Sequence, residues 1–260
     1  MLKEWAVLAV TIVTLLAPTL SCRDVFAQST GAAHKPFLRG SVEHSEQLTP
    51  VQSGLKVGDT FDQSKLEKGA ATKNWYKVPP WLAGTWEHDD QTQTSYLDYK
   101  TGVGDSKTFS FQSHSTDGFG YQRDRLGGIW DSISVPYFAE SVTDKELHTS
   151  LHTDDSVIFD SDDRVIMRFI CTRTTVDKAT NTISSVNQTE SFNSYVPYGP
   201  NMVRTEYSIK YFDQRGNPID LSKGWSIERR VALFKLSSYD PSFGEYLKTN
   251  GMENLVPLQQ

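Results

Sequence analysis

Trp81-Leu82-Ala83-Gly84-Thr85-Trp86 stands directly behind Pro79-Pro80, at the point where a polar, irregular stretch gives way to strand-like segments. From Trp75 onward Tyr, Phe, Trp, Ile, Val and Thr gather in short runs, separated by turn residues at intervals of about eight to twelve. Val203 to Tyr211 alternates most cleanly. Val203, Thr205, Tyr207, Ile209 and Tyr211 face one way, and Arg204, Glu206, Ser208 and Lys210 the other. Asp160-Ser161-Asp162-Asp163, Asp177-Lys178-Ala179-Thr180-Asn181 and Gln214-Arg215-Gly216-Asn217-Pro218 are turns by composition. Short loops without crossover helices imply antiparallel neighbours, and a long meander leaves two sheet edges unless it closes. The expected fold is all-β: an antiparallel meander closing into a barrel of about 8–11 strands. A short helix follows, with Asp240-Pro241 as N-cap and first residue, Gly251 as its stop, and Phe243, Tyr246 and Leu247 as its apolar stripe.

Upstream of this region, Lys3, the apolar run from Trp5 to Leu20 and the small-residue site Val25-Phe26-Ala27 have the layout of an export signal over 1–27. Thr19-Leu20-Ser21-Cys22 faintly resembles a bacterial lipobox, so lipid anchoring at Cys22 is an alternative to a freely periplasmic or secreted chain. Residues 28–75 carry scattered glycines and polar side chains with no sustained period, and read as an N-terminal extension to a domain spanning 76–260.

The formal charge of −6 and the lack of any basic run argue against nucleic acid or an anionic membrane surface as partner. Of the two cysteines, Cys22 is removed or lipidated by either route, which leaves Cys171 without a disulfide partner. At period two with Val165, Met167 and Phe169, Cys171 reads as a buried small residue.

The segment from Trp81 to Trp86, the meander behind it and the late pair Arg229-Arg230 together resemble the lipocalin (calycin) superfamily. The resemblance implies that Gly84 and Trp86 hold the positions of the Gly-x-Trp motif on the first barrel strand. It also implies that Arg229 or Arg230 stacks on the indole to close the barrel floor, and these two point to opposite faces. A guanidinium over an indole gains ~0.5–2 kcal/mol, and a glycine lets a second segment pass close by. The sequence departs from the family in its larger number of strands and its lack of a disulfide.

Six histidines are present. His148 and His152 lie four apart: on a helix they would share one face and a metal pair is conceivable, but in a strand they are more than ~13 Å from each other, too far to share one ion, and read as two surface histidines. His88-Asp89-Asp90 and Asp160-Ser161-Asp162-Asp163 have none of the spacing of a calcium loop and read as turn acidity. Asn187-Gln188-Thr189 fits a glycosylation acceptor. No nucleophile elbow, phosphate loop or zinc-protease motif occurs, and no catalytic residue, metal ligand or cofactor is assigned. Trp130, Met167, Phe169, Tyr207 and Ile209 are the candidates for a ligand-lining set. The expected function is therefore non-covalent binding of a small apolar or amphipathic molecule in the barrel. The alternatives are an envelope interaction protein whose packed barrel docks a protein partner, and an isomerase or hydrolase of the same fold.

Overall fold

The computed structural model describes residues 43–51, 55–65 and 71–258. The expected signal, its cleavage site and Cys22 lie outside them. Among the described residues the chain forms twelve strands: β1 (Thr72–Val78), β2 (Gly84–Asp98), β3 (Gly104–Asp105), β4 (Phe109–Phe119), β5 (Gln122–Arg123), β6 (Ile129–Val135), β7 (Tyr137–Val142), β8 (Glu146–Asp160), β9 (Val165–Asp177), β10 (Thr182–Gly199), β11 (Met202–Phe212) and β12 (Pro218–Leu233). One helix of full α type, α1 (Pro241–Thr249), follows.

The long hairpins form where side chains satisfy the turn backbone. Asp177 Oδ1 accepts from the N–H groups of Ala179 and Thr180, and Asp213 Oδ1 from those of Arg215 and Asn217. Strands β7 to β12 pair in sequence order, all antiparallel, and β12 then pairs with β2. The far side of β2 takes β4 along most of its length and β3 at its tip, completing a sheet of nine strands. A second sheet has the order β1-β6-β5.

The large sheet is strongly curled. Phe119 in β4 and Tyr195 in β10 are four strand spacings apart, ~19 Å on a flat sheet, yet their rings meet edge-to-face at 5.0 Å. On the concave face thus formed, Trp86, Phe119, Val165, Met167, Tyr195 and Val203 make the main core. The expected barrel is not detected as a closed ring: among the described residues no pairing joins the edge strands β4 and β7. The chain between those edges is diverted into the small sheet, where β6 pairs with β1 along its whole length. Pro136, with no N–H to give a ladder, separates β6 from β7. Val78, Tyr76, Ile129 and Ile133 of the small sheet pack on the same core. Strand β1 begins at Thr72, inside the stretch expected to be extension.

Asp240 caps α1 by accepting from the Ser242 N–H, Pro241 fills the first turn, and Gly251 past the helix has a φ of +71°. Phe243 and Leu247 are buried against Trp75 and Trp130, so the helix covers the outer face of the small sheet.

The described residues 43–51 and 55–65 of the extension lie on the convex face of the large sheet. Leu48 and Val51 donate backbone hydrogen bonds to Gly216 and Gln214 at the β11–β12 turn, and Phe61 donates to Asn181 at the β9–β10 turn. Leu55 is buried with Leu151, Ile183 and Val186. The polar anchor is Glu190, 1% exposed. Its carboxylate accepts from Arg168 Nε at 2.8 Å and Nη2 at 2.7 Å, from the Ser45 N–H at 2.7 Å and hydroxyl at 2.9 Å, and meets His44 Nδ1 at 3.1 Å. Burial pushes the carboxyl up, but the bonds from His44, Arg168 and Ser45 outweigh it and bring the group down to about 2.

Two predictions follow from this geometry. A Cβ at Gly84, where φ is +136°, would sit 2.5 Å from the Ala232 carbonyl oxygen on β12, so Gly84→Ala is expected to cost more than ~1–3 kcal/mol in urea unfolding. Because the folded value of Glu190 lies below its ordinary value of 4.5, its contribution is complete above that pH and fades as pH falls towards 2. Glu190→Gln is expected to remove up to ~3 kcal/mol of extension docking at neutral pH and to flatten this acid dependence, read by hydrogen exchange of residues 43–51.

Candidate functional site

The concave face has a floor and, next to it, an acidic cluster. At the floor Gly84 allows β2 to run against β12, and Trp86, 1% exposed, turns its indole inward. The indole N–H donates to the Leu82 carbonyl at 2.7 Å. The Arg230 guanidinium lies over the ring at 4.5 Å and donates to the Trp81 carbonyl. Arg229, the other candidate for that place, is exposed on the opposite face and pairs in register with Met202 and Glu87.

Above this floor β2, β4 and β12 bring together His88, Asp117 and Glu228, each offering a ligand atom within 4.8 Å of the others. Period-two alternation places Glu228 on the same side of β12 as Arg230, and Asp117 stands opposite Trp86 on β4. His88 comes from the Trp86 side of β2 at a register shift between His88 and Asp90. The segment His88-Asp89-Asp90, expected as turn acidity, thus lies inside a strand. The imidazole is buried, while Asp89 and Asp90 face solvent.

The three groups are poorly satisfied. Glu228, 2% exposed, accepts from the Thr205 hydroxyl through Oε1 at 2.5 Å, while Oε2 is buried with no hydrogen-bond partner. Asp117 accepts from Ser115 at 3.2 Å. Among the described residues no basic side chain forms an ion pair with either carboxylate. His88 Nε2 meets the Gln91 amide nitrogen at 3.0 Å, leaving Nδ1 buried without a partner. Burial first, then the neighbouring Asp117, pushes Glu228 up to about 7. Burial also raises Asp117 and lowers His88. The Tyr195 hydroxyl is pushed up by burial, then by Asp117 and Glu228. Each shift disfavours charge in a site that holds two carboxylates.

Of the proposed lining residues, Met167, Phe169, Tyr207 and Ile209 share the concave face through the pairs Met167↔Asn193, Phe169↔Ser191, Asn193↔Tyr207 and Ser191↔Ile209. Trp130 does not join them. It packs on Phe243 and Tyr246 of α1 and donates its indole N–H to Asp124 at 2.8 Å, because successive residues of β6 face opposite ways and Ile129 takes the core side. Cys171 is buried and free, held at 3.1 Å from the Thr189 hydroxyl, and burial raises its thiol. Its surroundings are more polar than the apolar strand suggested, since its cross-strand partners are Thr189 and His152. His148 and His152 lie in strand β8. They are engaged separately, with Glu146 at 3.3 Å and Asp155 at 3.1 Å, and His152 also stacks on Tyr137. Gln188 and Thr189 of the glycosylation tripeptide are buried in β10.

Comparison with protein-family models, curated proteins and solved structures finds no match to this chain.

The two arginines separate floor stability from surface charge. Arg230→Ala is expected to lower stability by ~1–3 kcal/mol in urea unfolding followed by tryptophan fluorescence, whereas Arg229→Ala stays within ~0.5 kcal/mol of wild type.

Proposed function

We propose that the chain is an exported, lipocalin-like barrel protein that binds a small apolar or amphipathic molecule on its concave face, without a covalent step. The carrying observation is a change in burial along that face. Trp86, Val165, Met167, Tyr195 and Val203 are fully packed at the floor, and Thr189 and Cys171 are buried further along. Between them Phe169, Ser191, Asn193, Tyr207 and Ile209 are only half-buried, forming a band of aromatic and aliphatic surface interleaved with hydroxyl and amide groups. Such a band offers apolar area to desolvate a ligand and a few polar groups to orient it. Gly224 contributes to its shape, because a Cβ there would sit 2.3 Å from the Tyr207 hydroxyl. The barrel reading draws on the pairing of the first long strand with the last and on Arg230 over Trp86, with the small sheet flanking the gap between β4 and β7. A second reading, an isomerase or hydrolase of the same fold, is favoured by the convergence of His88, Asp117 and Glu228.

The test is native mass spectrometry of the purified chain, organic extraction, and titration with a fluorescent polyene fatty acid. Binding at one equivalent is expected, and Ile209→Trp, which fills the half-exposed band, should abolish it while leaving the urea midpoint close to wild type. Failure to retain any extracted species, together with no change in probe fluorescence, would refute the reading.

A further inference from the structure

We propose that His88, Asp117 and Glu228 form a binding site for one divalent transition-metal ion of the Zn²⁺ or Mn²⁺ class. The donor set is one imidazole and two carboxylates, with His88 Nδ1 and Glu228 Oε2 both buried and unpartnered. Their residues are 7% and 2% exposed. Leaving a buried acceptor unpaired is costly, and a half-buried carboxylate beside a buried one, with no basic neighbour to either, adds to that cost. A divalent cation removes both penalties at once: it supplies two positive charges to two carboxylates and an acceptor for the idle nitrogen.

The geometry requires only side-chain adjustment. Ligand atoms lying within 4.8 Å must close to about 3.4 Å, the separation set by tetrahedral coordination at ~2.1 Å. Asp117 and Glu228 reach the site from β4 and β12, which flank β2 on either side and carry His88 between them on β2. The Gln91 amide nitrogen meets His88 Nε2 at 3.0 Å; with Nδ1 on the ion the proton moves to Nε2, and Gln91 must turn its amide over so that its oxygen accepts from that N–H. Three protein donors leave a fourth position, as catalytic and ligand-exchanging sites do. The mixture of imidazole and carboxylate favours zinc or manganese over magnesium and calcium, which prefer all-oxygen shells. This site is independent of the half-exposed band and stands whether or not that band binds a ligand.

The full chain, prepared without a histidine tag and stripped with a chelator, is titrated calorimetrically near neutral pH with Zn²⁺, Mn²⁺, Mg²⁺ and Ca²⁺. One Zn²⁺ or Mn²⁺ is expected to bind at micromolar or tighter dissociation constant, with Mg²⁺ and Ca²⁺ at least about 10-fold weaker. His88→Gln and Glu228→Gln should each weaken the site at least about 10-fold, and His114→Ala should leave it unchanged. A measurement on the wild-type chain guards against variants that do not fold: Co²⁺ should broaden the side-chain resonances of Trp86 and Tyr195 first. No micromolar site, a site unchanged in both glutamine variants, or broadening confined to His114 or His148 would overturn the proposal.

Discussion

The stack of Arg230 on Trp86 is the constraint on which the concave face depends. Its gain of ~0.5–2 kcal/mol is modest, but it marks the register of the junction between the first long strand and the last. Strand side chains alternate, so a slip of one residue between β2 and β12 would carry Trp86 away from Arg230 and separate His88 from Glu228. Gly84 permits this register by leaving room for the Ala232 carbonyl. The floor and the polar cluster above it are thus two outcomes of one strand pairing.

The two faces of the curled sheet treat the same side chain in opposite ways. Glu190 and Glu228 are almost equally buried, yet one carboxyl is brought down to about 2 and the other pushed up to about 7. Desolvation acts on both. Partners decide the outcome: Arg168, Ser45 and His44 surround Glu190, whereas Glu228 has one hydroxyl and a neighbouring carboxylate. The convex side is a finished structural contact. On the concave side Glu228 Oε2 and His88 Nδ1 are left without a partner.

Local chemistry was legible in the residues. The alternation of Val203 to Tyr211, the turns after β9 and β11, and the cap at Asp240-Pro241 each depend on neighbours within a few positions, and each forms where expected. The candidate site was not legible in this way. His88, Asp117 and Glu228 lie far apart in the chain, and His88 sits in a tripeptide that by composition reads as a turn. Only the pairing of β12 with β2 and β2 with β4 brings them together. Trp130 was misplaced for a related reason: its strand belongs to a separate sheet, so its facing is set by α1 and not by the meander. The open edges at β4 and β7 arise from the partnership of β1 with β6, which no local signal in either segment announces.

The docked extension also bears on the order of folding. His44 and Ser45 find their partners on Glu190, Ser208 and Lys210, across most of the length of the domain, and those three residues become neighbours only when β10 and β11 have paired. The segment therefore attaches late, after the long loop it closes has lost most of its freedom. A unit that attaches last, onto strands already paired, is also the first able to open under native conditions. Such an opening would bare the backs of β9 to β11 while the floor under Arg230 stayed intact.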